Sequence, residues 1–151
     1  MFSPFLSACV LAGLTMAVHT TGIAVLVWAW ERLHVVPPTS IVRVTQALFH
    51  ILWWLILLHL TEISVWGAFY WWRECFPNAE AAFYFSGATY TTLGYGDLVL
   101  AWPWRLLAPM EAVVGILMCG LSTGFFFVVV NRIHQTQVAK ADAARAQKDE
   151  L

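Results

Sequence analysis

Apolar positions run along this chain in three long blocks separated by short polar breaks. Phe5 to Trp30 is apolar and carries no Asp, Glu, Lys or Arg. At 1.5 Å per residue it is long enough to cross about 30 Å of hydrocarbon, and it predicts a first membrane helix. No basic segment precedes it, and it is too long for the apolar core of a cleaved signal peptide. Glu31 to Arg43 is a polar connection in which Pro37 and Pro38 stop a helix and Thr39 or Ser40 can cap the next. Val44 to about Tyr70 predicts the second span, leaving through the interfacial aromatics Trp66, Tyr70, Trp71 and Trp72. Leu106 to Val130 predicts the third, with Gly115, Gly120 and Gly124 along it, followed by an Ala-rich charged tail expected to be helical.

Between the second and third spans lies a segment too short to cross. Arg73 to Asn78 is a polar turret. Ala79 to Thr92 reads as a helix, with Asn78 as its N-cap and Glu80 in its first turn. Its negative C-terminal end would favour a cation, and the irregular backbone after it needs protein or a water-filled cavity around it.

That irregular stretch is Thr91-Thr92-Leu93-Gly94-Tyr95-Gly96-Asp97. It is read as a short extended strand whose two glycines accept backbone angles closed to other residues. Carbonyls turned toward one axis in four chains can replace the water shell of a dehydrated cation, and the Thr92 hydroxyl adds another hard oxygen. An all-oxygen set suits alkali and alkaline-earth ions and excludes soft-metal readings. Taken alone, Gly-Tyr-Gly could be an ordinary turn; its place between two apolar helices argues otherwise.

Composition agrees. The chain has 151 residues, of which 60% are hydrophobic and 11% charged, and its mean hydropathy is +0.70. A soluble domain is nearer about 25% charged, so the class is integral membrane protein. The net charge of −1 and the lack of a basic patch give no reason to expect nucleic acid. Nine tryptophans fit interfacial belts. Cys9, Cys75 and Cys119 show no metal-ligand spacing and are read as free thiols. Arg32 and Arg43 lie in the first loop, Arg132, Lys140, Arg145 and Lys148 in the tail, and only Arg73 and Arg105 flank the short segment. This asymmetry puts the first loop and tail in the cytoplasm and the N-terminus outside. Lys148 to Leu151 matches a luminal retention signal, which a cytoplasmic tail makes accidental.

The motif from Thr91 to Asp97 resembles the T-x-G-Y-G-D selectivity filter of potassium channels, with Leu93 where Val or Ile is commoner. Residues 44–131 are similar to that family's pore unit, and the chain looks like small bacterial ion channels with an extra N-terminal helix. The resemblance implies an all-α integral membrane protein: three transmembrane helices, a re-entrant pore helix and a filter strand, assembled as a tetramer. It divides the chain into 1–43 (extra helix and cytoplasmic loop), 44–131 (pore unit) and 132–151 (charged tail). It implies K+ sites at Thr92, Leu93, Gly94 and Tyr95, with Gly96 completing the filter and Asp97 at the outer mouth, where it could equally cap the returning loop. Tyr84, Phe85, Thr89 and Thr91 would support the filter, Tyr84 and Phe85 as part of an aromatic cuff around Tyr95. Ala88 stands where some bacterial members carry a glutamate behind the filter.

Other candidates concern gating. Gly115 could be a hinge or a close helix contact. Phe127, in the run Phe125-Phe126-Phe127, could form a constriction or simply face lipid or core. Glu62 and Glu111 are each about two turns from the outer ends of their helices and so are expected at similar depth, with His59 one turn below Glu62. Intramembrane ionisable groups are candidate switches or hydrogen-bonded struts. Ile116, Cys119, Thr123 and Phe127 share one helix face, which the resemblance turns toward the cavity below the filter; Cys119 could instead pack as a small hydrophobe. A potassium-selective channel is the leading function. A weakly selective cation channel, a pore subunit of a potassium uptake system and a silent partner of other channels are the alternatives. No nucleophile–base arrangement points to an enzyme. No cofactor is expected besides K+ as permeant ligand, and no partner besides three further copies and membrane lipid.

Overall fold

A computed structural model describes residues 4–32 and 40–149. Pro37, Pro38 and Thr39, assigned above to a helix stop and cap, lie outside the described residues, as does the end of the tail. The described chain is all helical: α1 (Pro4–Arg32), α2 (Ile41–Trp72), α3 (Ala79–Tyr90) and α4 (Leu107–Asp149), with a single 3-10 turn at Trp104–Leu106. α1, α2 and α4 are each long and apolar enough to cross a membrane. α3 has 12 residues, only about 18 Å of helix. The protein is an all-α integral membrane protein.

Local chemistry sets the ends. The Ser40 side chain accepts from the Arg43 amide, so α2 begins three residues before the expected Val44. Asn78 Oδ1 accepts from the Ala81 amide at 2.8 Å and caps α3, with Glu80 in the first turn. α3 ends at Tyr90, two residues earlier than expected. α4 does not stop at Val130. Nothing in Asn131 to Lys140 breaks a helix, and it runs on into the charged tail.

α3 lies in the angle between α2 and α4. Gly67 lets α2 approach closely: a methyl group there would lie 3.1 Å from the Phe83 Cα. The core joins Trp66 and Tyr70 of α2, Ala82 and Phe85 of α3, and Leu107 of α4 to Ala8 and Leu11 of α1. A second group holds Ala12, Tyr90, Val114 and Met118. Ala8, Leu11, Ala12, Thr15 and His19 are all buried, at helical spacing on one stripe of α1. Outside the core, large apolar side chains are exposed, among them Phe5, Phe49, Trp53, Trp71 and Val128. A surface of that kind is suited to lipid or to further copies of the chain.

α1 is stitched to α2 level by level. Trp66 Nε1 donates to Thr15 Oγ1 at 2.9 Å, His19 Nδ1 lies 2.7 Å from Glu62 Oε1, and Trp54 Nε1 donates to the Gly22 carbonyl at 3.1 Å. Leu58 packs on Gly22 between the last two. Gly13, by contrast, faces open space.

Candidate functional site

After α3 the backbone turns back through residues 91–98 without forming a strand. Positive φ recurs at every second residue: Thr92 at 60°, Gly94 at 51° and Gly96 at 78°. In a β-strand successive carbonyls alternate sides. Reversing the sign of the backbone angles at alternate residues instead turns successive carbonyls toward a common side. Glycine accepts such angles freely. Thr92 is β-branched, and its left-handed backbone costs on the order of 1–3 kcal/mol.

Two backbone bonds hold the entry to this segment. The Thr92 amide donates to the Thr89 carbonyl at 2.9 Å, and the Gly94 amide to the Ala88 carbonyl at 3.0 Å. Thr91 Oγ1 donates back to the Gly87 carbonyl at 2.7 Å, closing the last turn of α3. A cleft of about 360 Å³ lies behind the segment, lined by Thr89, Ala88, Tyr95, Ala108 and Ala112 among others. Leu93 and Tyr95 are exposed in the single chain.

Asp97 has a partner that sequence reading missed. Tyr84 donates its hydroxyl hydrogen to Asp97 Oδ2 at 2.8 Å. That bond, followed by the smaller effects of desolvation and nearby charge, holds the Tyr84 phenol above its ordinary pKa. Phe85 and Tyr95 both border the cleft behind this segment. Phe85 is buried against Tyr70 and Phe76, with ring centroids 5.4 Å and 4.9 Å away. An aromatic this far back on α3 faces the α2 side, one residue around the helix from Tyr84.

The two buried acids meet side chains one turn apart on α3. Glu111 Oε2 accepts from Tyr70 at 2.7 Å, and Glu111 Oε1 lies 2.6 Å from Ser86 Oγ, which also lies 2.8 Å from the Ile63 carbonyl. Glu62 instead meets Tyr90, one turn further along α3, which donates to it. His59 Nδ1 lies 3.4 Å from Glu62 Oε2 and 3.0 Å from the Tyr90 hydroxyl. Glu62 also meets His19 of α1, and Ser122 of α4 lies within 3.5 Å of Nε2 of His19 and 3.0 Å of Nε2 of His59. His19 was overlooked in the sequence. Its signal was a lone imidazole in an otherwise uncharged apolar span.

Gly115 is a contact point. A methyl group there would collide with the Tyr90 carbonyl, and α4 passes through the position as unbroken helix. Ile116, Cys119, Thr123 and Phe127 are all exposed on α4, opposite the buried stripe of Glu111, Val114, Met118 and Ser122. Thr123 Oγ1 donates to the Cys119 carbonyl at 2.9 Å. Cys119 is exposed in the single chain. None of the three cysteines is bonded to another, and burial pushes the Cys75 thiol up, against the weaker opposing pull of Arg73.

Comparison with curated proteins and with solved structures found no match. Residues 58–132 match the family model described as "Ion channel". The matched segment starts one turn before Glu62, contains α3 and the segment after it, and ends just past the apolar part of α4. α1 and the first part of α2 lie outside it. Over residues 58–132, then, this chain belongs to the ion channel family.

Proposed function

We propose that the protein is a potassium-selective channel. Four copies related by a four-fold axis would bring four segments 92–96 together, and their carbonyls would take the place of the ion's water shell. The observation that carries this reading is the recurrence of left-handed backbone at Thr92, Gly94 and Gly96. Such a backbone would turn a row of carbonyl oxygens to one side of the segment, available to an ion on a shared axis. Hard oxygen ligands in such rings suit a dehydrated alkali cation.

Tyr84 and Asp97 brace the outer mouth in this reading. The exposed stripe Ile116, Cys119, Thr123 and Phe127 lines the cavity on the other side. The charge asymmetry of the loops orients the chain in a plasma membrane, inner in a bacterium, with the N-terminus outside and the tail in the cytoplasm. Conduction is passive and needs no catalytic residue.

The test is tracer uptake. Liposomes containing the purified protein and loaded with potassium chloride should concentrate external rubidium, while liposomes loaded with sodium chloride should not concentrate external sodium. Gly94→Ala, which puts a side chain at a left-handed position, should abolish uptake with the protein still inserted. Equal accumulation of both ions would favour a weakly selective cation channel.

A further inference from the structure

One buried cluster lies outside the segment proposed to conduct. His19 of α1 and His59 and Glu62 of α2 bring two imidazole nitrogens and a carboxylate together. Their donor atoms all lie within 4.8 Å of one another. His19 and Glu62 are fully buried, and the His59 side chain retains 20% exposure, which leaves one side for entry.

The orientation of both rings is specific. Each turns Nδ1 toward Glu62, at 2.7 Å for His19 and 3.4 Å for His59. Each turns Nε2 toward the same Ser122 oxygen. The two Nδ1 atoms and the carboxylate thus face one another across a gap that a single cation could fill, with Nε2 of each ring on the Ser122 side.

We propose that His19, His59 and Glu62 form a transition-metal site for a zinc(II)-class ion. Two imidazoles and one carboxylate are a donor set for that class rather than for potassium, magnesium or calcium. Zinc bonds to these atoms run about 2.0–2.2 Å, which puts neighbouring ligands of a tetrahedral ion roughly 3.3–3.5 Å apart. The present donor atoms lie within 4.8 Å of one another. Ser122 is the outer partner that fixes both rings, as metal-bound histidines require. Tyr90 faces the fourth position: it donates to Glu62 and its oxygen is 3.0 Å from His59 Nδ1. A bound ion ties α1 to α2 beside the last residue of α3, and it does so whether or not the pore selects potassium.

The test uses the full-length protein, purified in detergent, stripped with chelator and titrated with cobalt(II) chloride. Expected are the visible bands of four-coordinate cobalt at one equivalent per chain, without thiolate charge-transfer bands, and their loss on adding zinc chloride. His19→Gln and His59→Gln should each abolish the bands with helix content and elution volume retained, while His50→Gln keeps them. Ser122→Ala leaves all three ligands and should weaken cobalt binding by about 10–100-fold; it decides the matter if the histidine variants fail to fold. Absence of bands in the wild type, bands that persist in both histidine variants, thiolate charge transfer, or unchanged affinity in Ser122→Ala would each overturn the proposal.

Discussion

Tyr84 and Asp97 are joined across thirteen residues of chain: the phenol of α3 donates to the carboxylate at the far end of the turn-back segment at 2.8 Å. The bond closes a loop around residues 92–96 and limits how far that segment can open. Loss of the donor in Tyr84→Phe should reduce potassium flux without preventing insertion. The direction of the Tyr84 shift sets the pH window. Asp97 raises the phenol above its ordinary value of about 10. A raised folded value means a contribution fully present below about pH 10 and lost as pH rises through the higher folded value. The flux ratio of wild type to Tyr84→Phe should stay constant from neutral pH to about pH 10 and narrow above it. A ratio that changed near neutrality would show that another group controls the mouth.

Gly115 should tolerate no side chain. Gly115→Ala drives a methyl group onto the Tyr90 carbonyl, and a packed backbone cannot yield as a flexible side chain would. Overpacking of this kind costs about 1–3 kcal/mol. Thermal unfolding in detergent should show the loss. Gly13→Ala on the open face of α1 should stay within about 0.5 kcal/mol of wild type. Equal melting of the two variants would mean that the α3–α4 contact is looser than described.

The network at Glu111 should accept an amide and reject a hydrocarbon. Ser86 Oγ has one proton, yet it lies within hydrogen-bond distance of both the Ile63 carbonyl and Glu111 Oε1. A second proton must sit between Ser86 and residue 111. Glu111→Gln supplies it as N–H while its oxygen still accepts from Tyr70, so stability should change by less than about 1 kcal/mol. Glu111→Leu strands the Tyr70 and Ser86 hydroxyls and should cost about 1–3 kcal/mol or more. If the glutamine variant unfolds as readily as the leucine variant, Glu111 acts as a charge rather than as a strut.

Much of the architecture was legible from the chain because bilayer physics writes long signals. Three apolar blocks, the Asn78 cap and the shortness of α3 are local, and each carried through. What stayed hidden was pairing at a distance. Nothing local in Tyr84 points to Asp97, and nothing in the apolar run of α1 says that His19 meets an acid 43 residues on.

The exposed stripe of α4 makes a labelling prediction. In a variant with Cys9 and Cys75 changed to Ser, a charged methanethiosulfonate reagent applied from the cytoplasmic side should reduce current through Cys119. Adding Cys119→Ser should remove the effect. Thr123→Cys, one turn further along α4, should react at least as fast, because it is nearer the entrance. If neither position reacts while the channel is open, this face of α4 lies against lipid or a neighbouring helix.

The central claim is that carbonyls of residues 92–96, gathered from four copies, select potassium. The reversal potential of the purified protein in a planar bilayer, with potassium on one side and sodium on the other, tests it most directly. A reversal potential far toward the potassium equilibrium value, lost together with conduction in Gly94→Ala, is the result the account predicts. A reversal potential near zero would contradict it.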